Sequence, residues 1–313
     1  MPEADVDYPG TWNQFMDWFS DESDCIAYLE KIRWKNGFTC PSCGSIGNPY
    51  RTTRGRLTCP TCEHQTTVTA GTIFHRTRTP LRTWFSAAWY ITNQKHGTNA
   101  LGLQRILGFK SYQTAWAHLH KFRRAMVRPD RDRLKGRVEV DETYVGGREE
   151  GFIGREIEKK YIVAVAAEMK EGNALGRVRL RRVLDVSEDS LIPFVCKMVE
   201  QGSIVHTDGW SSYRSLSKHG YKHERTILSA TGDPAHVSMP GVHRVSSLLK
   251  RWILGILHGS IGPQQLDYYL DEYTFRFNRR TSRSRGMLFY RLIEQAVSTD
   301  PNPYKSMVGG GKC

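Results

Sequence analysis

The stretch "GRVEVDETYVGG", residues 136–147, alternates like a half-buried strand, with Val138 and Val140 on one face and Glu139 and Asp141 on the other. Glycines follow, so the expected strand ends at Asp141. A carboxylate at a strand end is, on its own, most simply a turn former or a helix cap. Its meaning depends on what the rest of the chain brings beside it.

Downstream, "KYIVAVAAEM" (160–169) is apolar almost throughout, which predicts a strand covered on both faces. "GRVRLRRVLDV" (176–186) sets Val178, Leu180 and then Val183 against arginines, as an antiparallel neighbour would. "SEDSLIPFVCKMV" (187–199) reads as a helix capped by Ser187. "GSIVHTDGWSSY" (202–213) is a further short strand that finishes at Asp208, with Gly209 allowing a sharp exit. "VHRVSSLLKRW" (242–252) buries Val242, Val245, Leu249 and Trp252 on one helical face and carries His243 and Lys250, two turns apart, on another. Strands, a helix, a strand and then helices predict an α/β domain with a mixed sheet.

Two aspartates at strand ends of one sheet change the odds for each. Brought to the same edge, they offer hard oxygen ligands to a divalent cation, and a third ligand from a helix completes a site of the two-metal type. Glu139 shares the face of Asp141, and Glu142 points the other way. His206 shares the face of Asp208, where core packing and support of the site are equally open. "PQQLDYYLDEYTFRFNRR" (263–280) spaces Leu266, Tyr269, Leu270, Tyr273 and Phe277 as a packing helix, and "NRRTSRSRGMLFYRL" (278–292) adds five arginines.

Upstream, "CPSCGS" and "CPTCEH" place Cys40, Cys43, Cys59 and Cys62 as two C-x2-C pairs separated by fifteen residues. Two such knuckles present four thiolates to one Zn²⁺ in a closed, structural site. "QTTVTAGTIF" (65–74) reads as strand, while Cys25, Cys196 and Cys313 read as core or tail thiols. "TWNQFMDWFS" (11–20) and "SDCIAYLEKIRW" (23–34) predict two short helices, and "TPLRTWFSAAWYITNQKHG" (79–97) a third. "TNALGLQRILGFKSYQTAWAHLHKFRRAM" (98–126) then gives a helix, a turn at Gly108 and a longer helix from Ser111. Ala115, Leu119, Phe122 and Met126 form the inner face of that longer helix. Gln113, Thr114, His118, Lys121 and Arg124 lie off it and are the candidate DNA-reading residues of a helix-turn-helix.

The chain has 313 residues with a formal net charge of +13 and pI ≈ 9.5, which favours a polyanionic partner, nucleic acid before anionic lipid. At 39 % hydrophobic residues it reads as folded rather than disordered. "MPEADVDYPG" is acidic without an apolar core, and the apolar run "YIVAVAA" is far too short for a bilayer, so a cytoplasmic protein without a membrane partner is expected.

Taken together, "IRWKNGFTCPSCGS", "CPTCEHQTTVTAGTIFH", "VEVDETYVGG", "VHTDGWSSY", "LLKRW" and "LDEYTFRFNRR" resemble the DDE-type insertion-sequence transposases with an N-terminal zinc ribbon, the ISXO-like group, over residues 12 to 304. The resemblance implies a ribonuclease-H-like catalytic core in which Asp141 and Asp208 are the first two metal ligands. The third position, usually Glu ahead of a Leu-Leu-Lys run, is His243 here, as in a subgroup that uses histidine; the aromatic often found three residues later is Ser246. It further implies catalytic Mg²⁺ or Mn²⁺, a phosphate contact from Lys250 and DNA contact from Arg251. Terminal-repeat and target DNA would be the partners of a homodimer or larger assembly working at the nucleoid of a prokaryotic cell.

The expected division is N-terminal helices (1–36), zinc ribbon (37–76), helix-turn-helix region (78–127), linker (128–136), catalytic domain (137–300) and tail (301–313). The expected activity is cutting of transposon 3′ ends and joining to target DNA. Two rivals stand beside it: a DNA-binding regulator with a disabled site, and a metal-dependent nuclease without strand transfer.

Overall fold

The computed structural model describes residues 2–128, 131–146, 160–226, 238–257 and 261–308, so Gly147 of the opening stretch and the Cys313 thiol lie outside the described residues. The chain divides into two compact units, residues 1–128 with 282–313, and residues 129–281.

The first unit opens with helices α1 (Trp12–Trp18) and α2 (Glu22–Arg33). Both start with full capping boxes: Thr11 pairs reciprocally with Gln14, and Asp21 with Asp24. Five strands of two residues each follow: β1 (Phe38–Thr39), β2 (Ile46–Gly47), β3 (Tyr50–Arg51), β4 (Leu57–Thr58) and β5 (Gln65–Thr66). The expected strand over 65–74 stops at Thr66; turns take over, and Ile73 and Phe74 are buried. Phe74 sits edge-on to Trp84, 5.1 Å between centroids. Helices α3 (Leu81–Asn93), α4 (Ala100–Leu107) and α5 (Tyr112–Ala125) come next. Gly108 ends α4 in the left-handed region at φ 65°, which is the turn expected between the two helices.

The second unit is built on a five-stranded mixed sheet of β6 (Arg137–Val145), β7 (Tyr161–Lys170), β8 (Ala174–Val183), β9 (Ile204–Asp208) and β10 (Lys222–Thr226), in the order β10-β9-β6-β7-β8. β10, β9 and β6 run parallel, while β7 and β8 are antiparallel to their neighbours. One face is covered by α6 (Glu188–Met198) and the 3₁₀ turns over Ser211–His219; its core joins Val138, Val140, Ala164 and Ala166 to Leu191, Val195 and Tyr213. The other is covered by α7 (Pro240–Leu257) and α8 (Pro263–Asn278), where Val163, Val165 and Ala167 meet Val242, Val245, Leu249, Leu270 and Tyr273. β7 is therefore covered on both sides, as its sequence predicts.

Two local expectations change. Asp141 lies inside β6 rather than at its end, because the β-forming Thr143, Tyr144 and Val145 stay paired with Val163, Ile162 and Tyr161. At α6 the Ser187 side chain does not cap the helix; the Asp185 carboxylate accepts from both Ser187 N–H and Ser187 Oγ–H.

The chain ends with α9 (Arg285–Val297) and α10 (Tyr304–Val308). The expected catalytic domain runs to residue 300, but α9 packs in the first unit, against α2, α3 and α5. Its Phe289 is the reason: the ring meets Phe15 edge-on at 5.5 Å and Phe85 at 5.7 Å, inside an aromatic core with Phe19, Tyr28 and Trp89. Among the described residues, no helix is long and apolar enough to cross a membrane.

Candidate active site and zinc centre

The parallel register of β6 and β9 pairs Arg137 with Ile204, Val138 with Val205 and Glu139 with His206, and there the ladder stops. Carried two residues further, the same register brings Asp141 level with Asp208 on one face. That is the face covered by α7, where His243 faces the sheet and its Nε2 lies 3.8 Å from Asp141 Oδ2.

The Asp141 pKa is raised, first by burial and further by the Asp208 charge, while the Glu142 N–H and His243 pull the other way. Asp208 is fixed by its own exit turn, its Oδ1 accepting from Trp210 N–H at 3.0 Å. The Trp210 indole in turn donates to Val186 O. Carboxylates and an imidazole are donors of the kind that a hard or borderline divalent cation takes.

Lys250 lies two turns along α7 from His243. Burial and Lys160 lower its pKa, and Asp141 raises it, so the ammonium sits within the field of the aspartate. Arg244 and Arg251 are exposed on the adjoining stripe of α7. Glu142 points to the opposite face, as alternation predicts, and accepts from the buried Tyr213 hydroxyl at 3.0 Å. His206 is buried, with Nε2 2.8 Å from Thr226 Oγ1 and Nδ1 3.4 Å from an Arg137 nitrogen, so it braces β9 against β10. Glu139 is also buried, and its Oε2 accepts from Val242 N–H at 3.0 Å. Alternation put Glu139 on the correct face; only the folded chain brings it to the start of α7.

In the first unit the sulfur atoms of Cys40, Cys43, Cys59 and Cys62 all lie within 4.8 Å of one another, a compactness that the Asp141, Asp208 and His243 ligand atoms do not share. Cys40 and Cys62 are 3.6 Å apart and Cys43 and Cys59 3.7 Å. A tetrahedral zinc with Zn–S bonds of about 2.3 Å requires sulfurs about 3.8 Å apart, so the four fit that ion. The two knuckles have matching backbones: Cys40 N–H donates to Ser45 O and Gly44 N–H to Cys40 O, while Cys59 N–H donates to His64 O and Glu63 N–H to Cys59 O. The thiols also crowd one another. Against the backbone N–H of His64, which lowers it, Cys43, burial and Cys40 push Cys62 up to about 12.

On α5 the placement differs from expectation at one residue. Gln113 is exposed, and Thr114, Lys121 and Arg124 are half-buried at the surface, but His118 is buried. Its ring stacks on Trp84 at 3.7 Å and its Nδ1 bonds Thr114 O at 2.7 Å. Burial holds it near a pKa of about 4. Its position between the inner face and the solvent face is decided by the large flat partner that α3 offers.

Comparison with known proteins agrees with this architecture. The profile of the ISXO2-like transposase domain matches residues 133–278, and that of the transposase zinc-ribbon domain matches residues 20–65. The chain belongs to the ISXO2-like transposases. A relative from Halobacterium salinarum, described as an uncharacterized protein in transposable element ISH50, is 28% identical over 297 residues, covering 86% of this chain and 94% of its own. The transposase-domain match runs from the approach to β6 through α8 and stops before α9, and the ribbon match contains all four cysteines. Helices α3 to α5 of this transposase lie outside both matched stretches.

Proposed function

We propose that the protein binds the terminal repeats of an insertion sequence, cuts the DNA 3′ ends by metal-dependent hydrolysis and joins them to target DNA. The observation that carries this reading is the approach of His243 Nε2 to Asp141 Oδ2 at 3.8 Å, with the charge of Asp208 acting on Asp141, within the stretch that matches the transposase domain. The sheet order, with its antiparallel pair beside three parallel strands, supports a ribonuclease-H-like core.

In this reading Asp141, Asp208 and His243 hold the divalent ions. When bound, Mg²⁺ or Mn²⁺ supplies Lewis acidity and ionised water for phosphodiester hydrolysis. Asp208 is held by its exit turn and Asp141 by the pairing of β6, so both carboxylates would approach the ions from anchored backbones. His243 adds a nitrogen donor but no negative charge, which favours Mn²⁺ over Mg²⁺. Lys250 orients a phosphate beside the carboxylates, and Arg251 contacts the neighbouring backbone. The hydroxyl freed at the 3′ end then attacks a target phosphodiester in line and displaces that strand's own 3′-oxygen, with no covalent protein–DNA intermediate. Gln113, Thr114, Lys121 and Arg124 form the DNA-facing side of α5, and the four thiolates hold a structural Zn²⁺. Joining two ends implies a homodimer or larger assembly.

The test is incubation of the protein with terminal-repeat and target DNA in Mn²⁺. Cleaved and joined products support the transposase. Cleavage alone points to a nuclease, and binding without chemistry to a DNA-binding regulator.

A further inference from the structure

We propose that Glu139 is a positioning residue for the candidate centre: its buried carboxylate ties the N-terminus of α7 to β6 and thereby sets His243 against Asp141. The inference rests on the reading of Asp141, Asp208 and His243 as a ligand set.

Glu139 precedes Asp141 by two residues on the same face of β6, and its bonding partner Val242 immediately precedes His243. One hydrogen bond of 3.0 Å therefore joins the near neighbours of the two residues that stand 3.8 Å apart. The Gly241 N–H is directed at the same carboxylate. These are the first donors of α7, which have no partner within the helix, and they lie at the positive end of its dipole. A carboxylate only 3 % exposed is costly to bury unless such donors surround it.

The apolar face of α7 does not fix the helix by itself. Contacts of Val242, Val245 and Leu249 with the sheet are non-directional and tolerate small slides and rotations. A hydrogen bond to one N–H is directional, and each helical residue turns about 100° from the last, so holding Val242 fixes the azimuth of His243. Gly241 makes the approach possible. A Cβ there would collide with Met169 Sδ and lie 2.8 Å from Glu139 Oε2. With its carboxylate turned to the backbone donors at the start of α7, Glu139 acts through the helix rather than as a further ligand.

The test is Mn²⁺ affinity, read from the spin-resonance signal of free Mn²⁺ on the zinc-loaded full chain. It compares wild type, Glu139→Gln, Glu139→Ala, His243→Ala and the Glu139→Ala/His243→Ala double variant. Loss of a group that orients a ligand costs about tenfold in affinity, expected for Glu139→Ala. Glu139→Gln keeps an oxygen for Val242 N–H and stays within about threefold of wild type. The double variant binds no more weakly than His243→Ala alone. Additive losses, or wild-type affinity in Glu139→Ala, overturn the proposal. Wild-type affinity in His243→Ala instead removes the ligand-set reading, and the positioning role with it. If Glu139→Ala does not fold, Gly241→Ala crowds the same contact from the helix side. It is expected to weaken Mn²⁺ binding only while His243 is present, and an unchanged affinity counts against the role.

Discussion

His243 and Asp141 belong to different elements, a covering helix and the central strand of the sheet, and meet with 3.8 Å between Nε2 and Oδ2. An imidazole so placed brings a borderline donor to an otherwise oxygen-based site. Mn²⁺ is expected to support strand cleavage at least as well as Mg²⁺. His243→Glu should lower the Mn²⁺-to-Mg²⁺ activity ratio by roughly tenfold, since it restores a third carboxylate. Parallel cleavage assays in the two metals decide it; activity confined to Mg²⁺ in the wild type would sink a direct histidine–metal bond.

Asp141→Asn tests the oxygen side of the same site. Removing a carboxylate that helps hold a Lewis acid forfeits several kcal/mol of transition-state stabilisation, so cleavage should fall at least about a hundredfold. Affinity for terminal-repeat DNA should stay close to wild type, because binding is proposed for α5 and the basic stripe of α7. Gel-shift and cleavage assays on one preparation separate the two effects.

His118 carries a prediction about acid stability. Its folded pKa is lowered from 6.5 to about 4, so the unfolded chain binds the proton first as pH falls. The contribution is fully present above about pH 6.5, is lost progressively toward pH 4, and amounts to about 3 kcal/mol over that window. His118→Phe keeps the stack on Trp84 and should flatten this part of the stability curve in denaturant titrations at several pH values. The same variant should leave DNA affinity within about twofold, since the ring is buried; a tenfold loss would restore the groove-reading role.

The ribbon is expected to depend on a zinc ion for folding. Its strands are two residues long, far below what pairs stably alone, and its small core is Phe38, Cys40, Leu57 and Cys59 with Trp34 against it. Zinc affinity is therefore folding energy. A strong chelator should remove one zinc per chain, expose four thiols to a colorimetric reagent and abolish amide protection over 38–66. Protection of β6 and β7 should persist.

Gly286 is the fourth site. A Cβ there would run into Pro9 O and lie 2.7 Å from the Tyr8 ring, so the start of α9 approaches the N-terminal segment only with glycine. Gly286→Ala should cost about 2 kcal/mol, in the range of an overpacked core, and lower the melting temperature without changing zinc content.

Much of this was legible because the signals are local. The C-x2-C pairs, the alternation of Val138 and Val140, and the apolar spacing of Val242, Val245 and Leu249 each dictate a short-range geometry that survives folding. What the sequence hid was non-local. Nothing near His118 announces that Trp84 will lie flat against it, and nothing near Phe289 says that its ring completes a core begun at Phe15. The extension of β6 past Asp141 was missed because its glycines sit beyond the pairing of Val145 with Tyr161. Glu139 shows both limits at once: its face could be read, its partner on α7 could not.

The return of α9 to the first unit bears on how truncated products of this gene behave. Until residues 285–297 leave the ribosome, the amino-terminal half lacks the Phe289 ring that its aromatic core surrounds. A polypeptide cut short by a premature stop or a frameshift within the sheet region would therefore leave an incomplete, protease-sensitive amino-terminal half. Such a fragment is expected to be degraded rather than to accumulate beside the intact protein. Translation through α9 is thus a condition for completing the first unit.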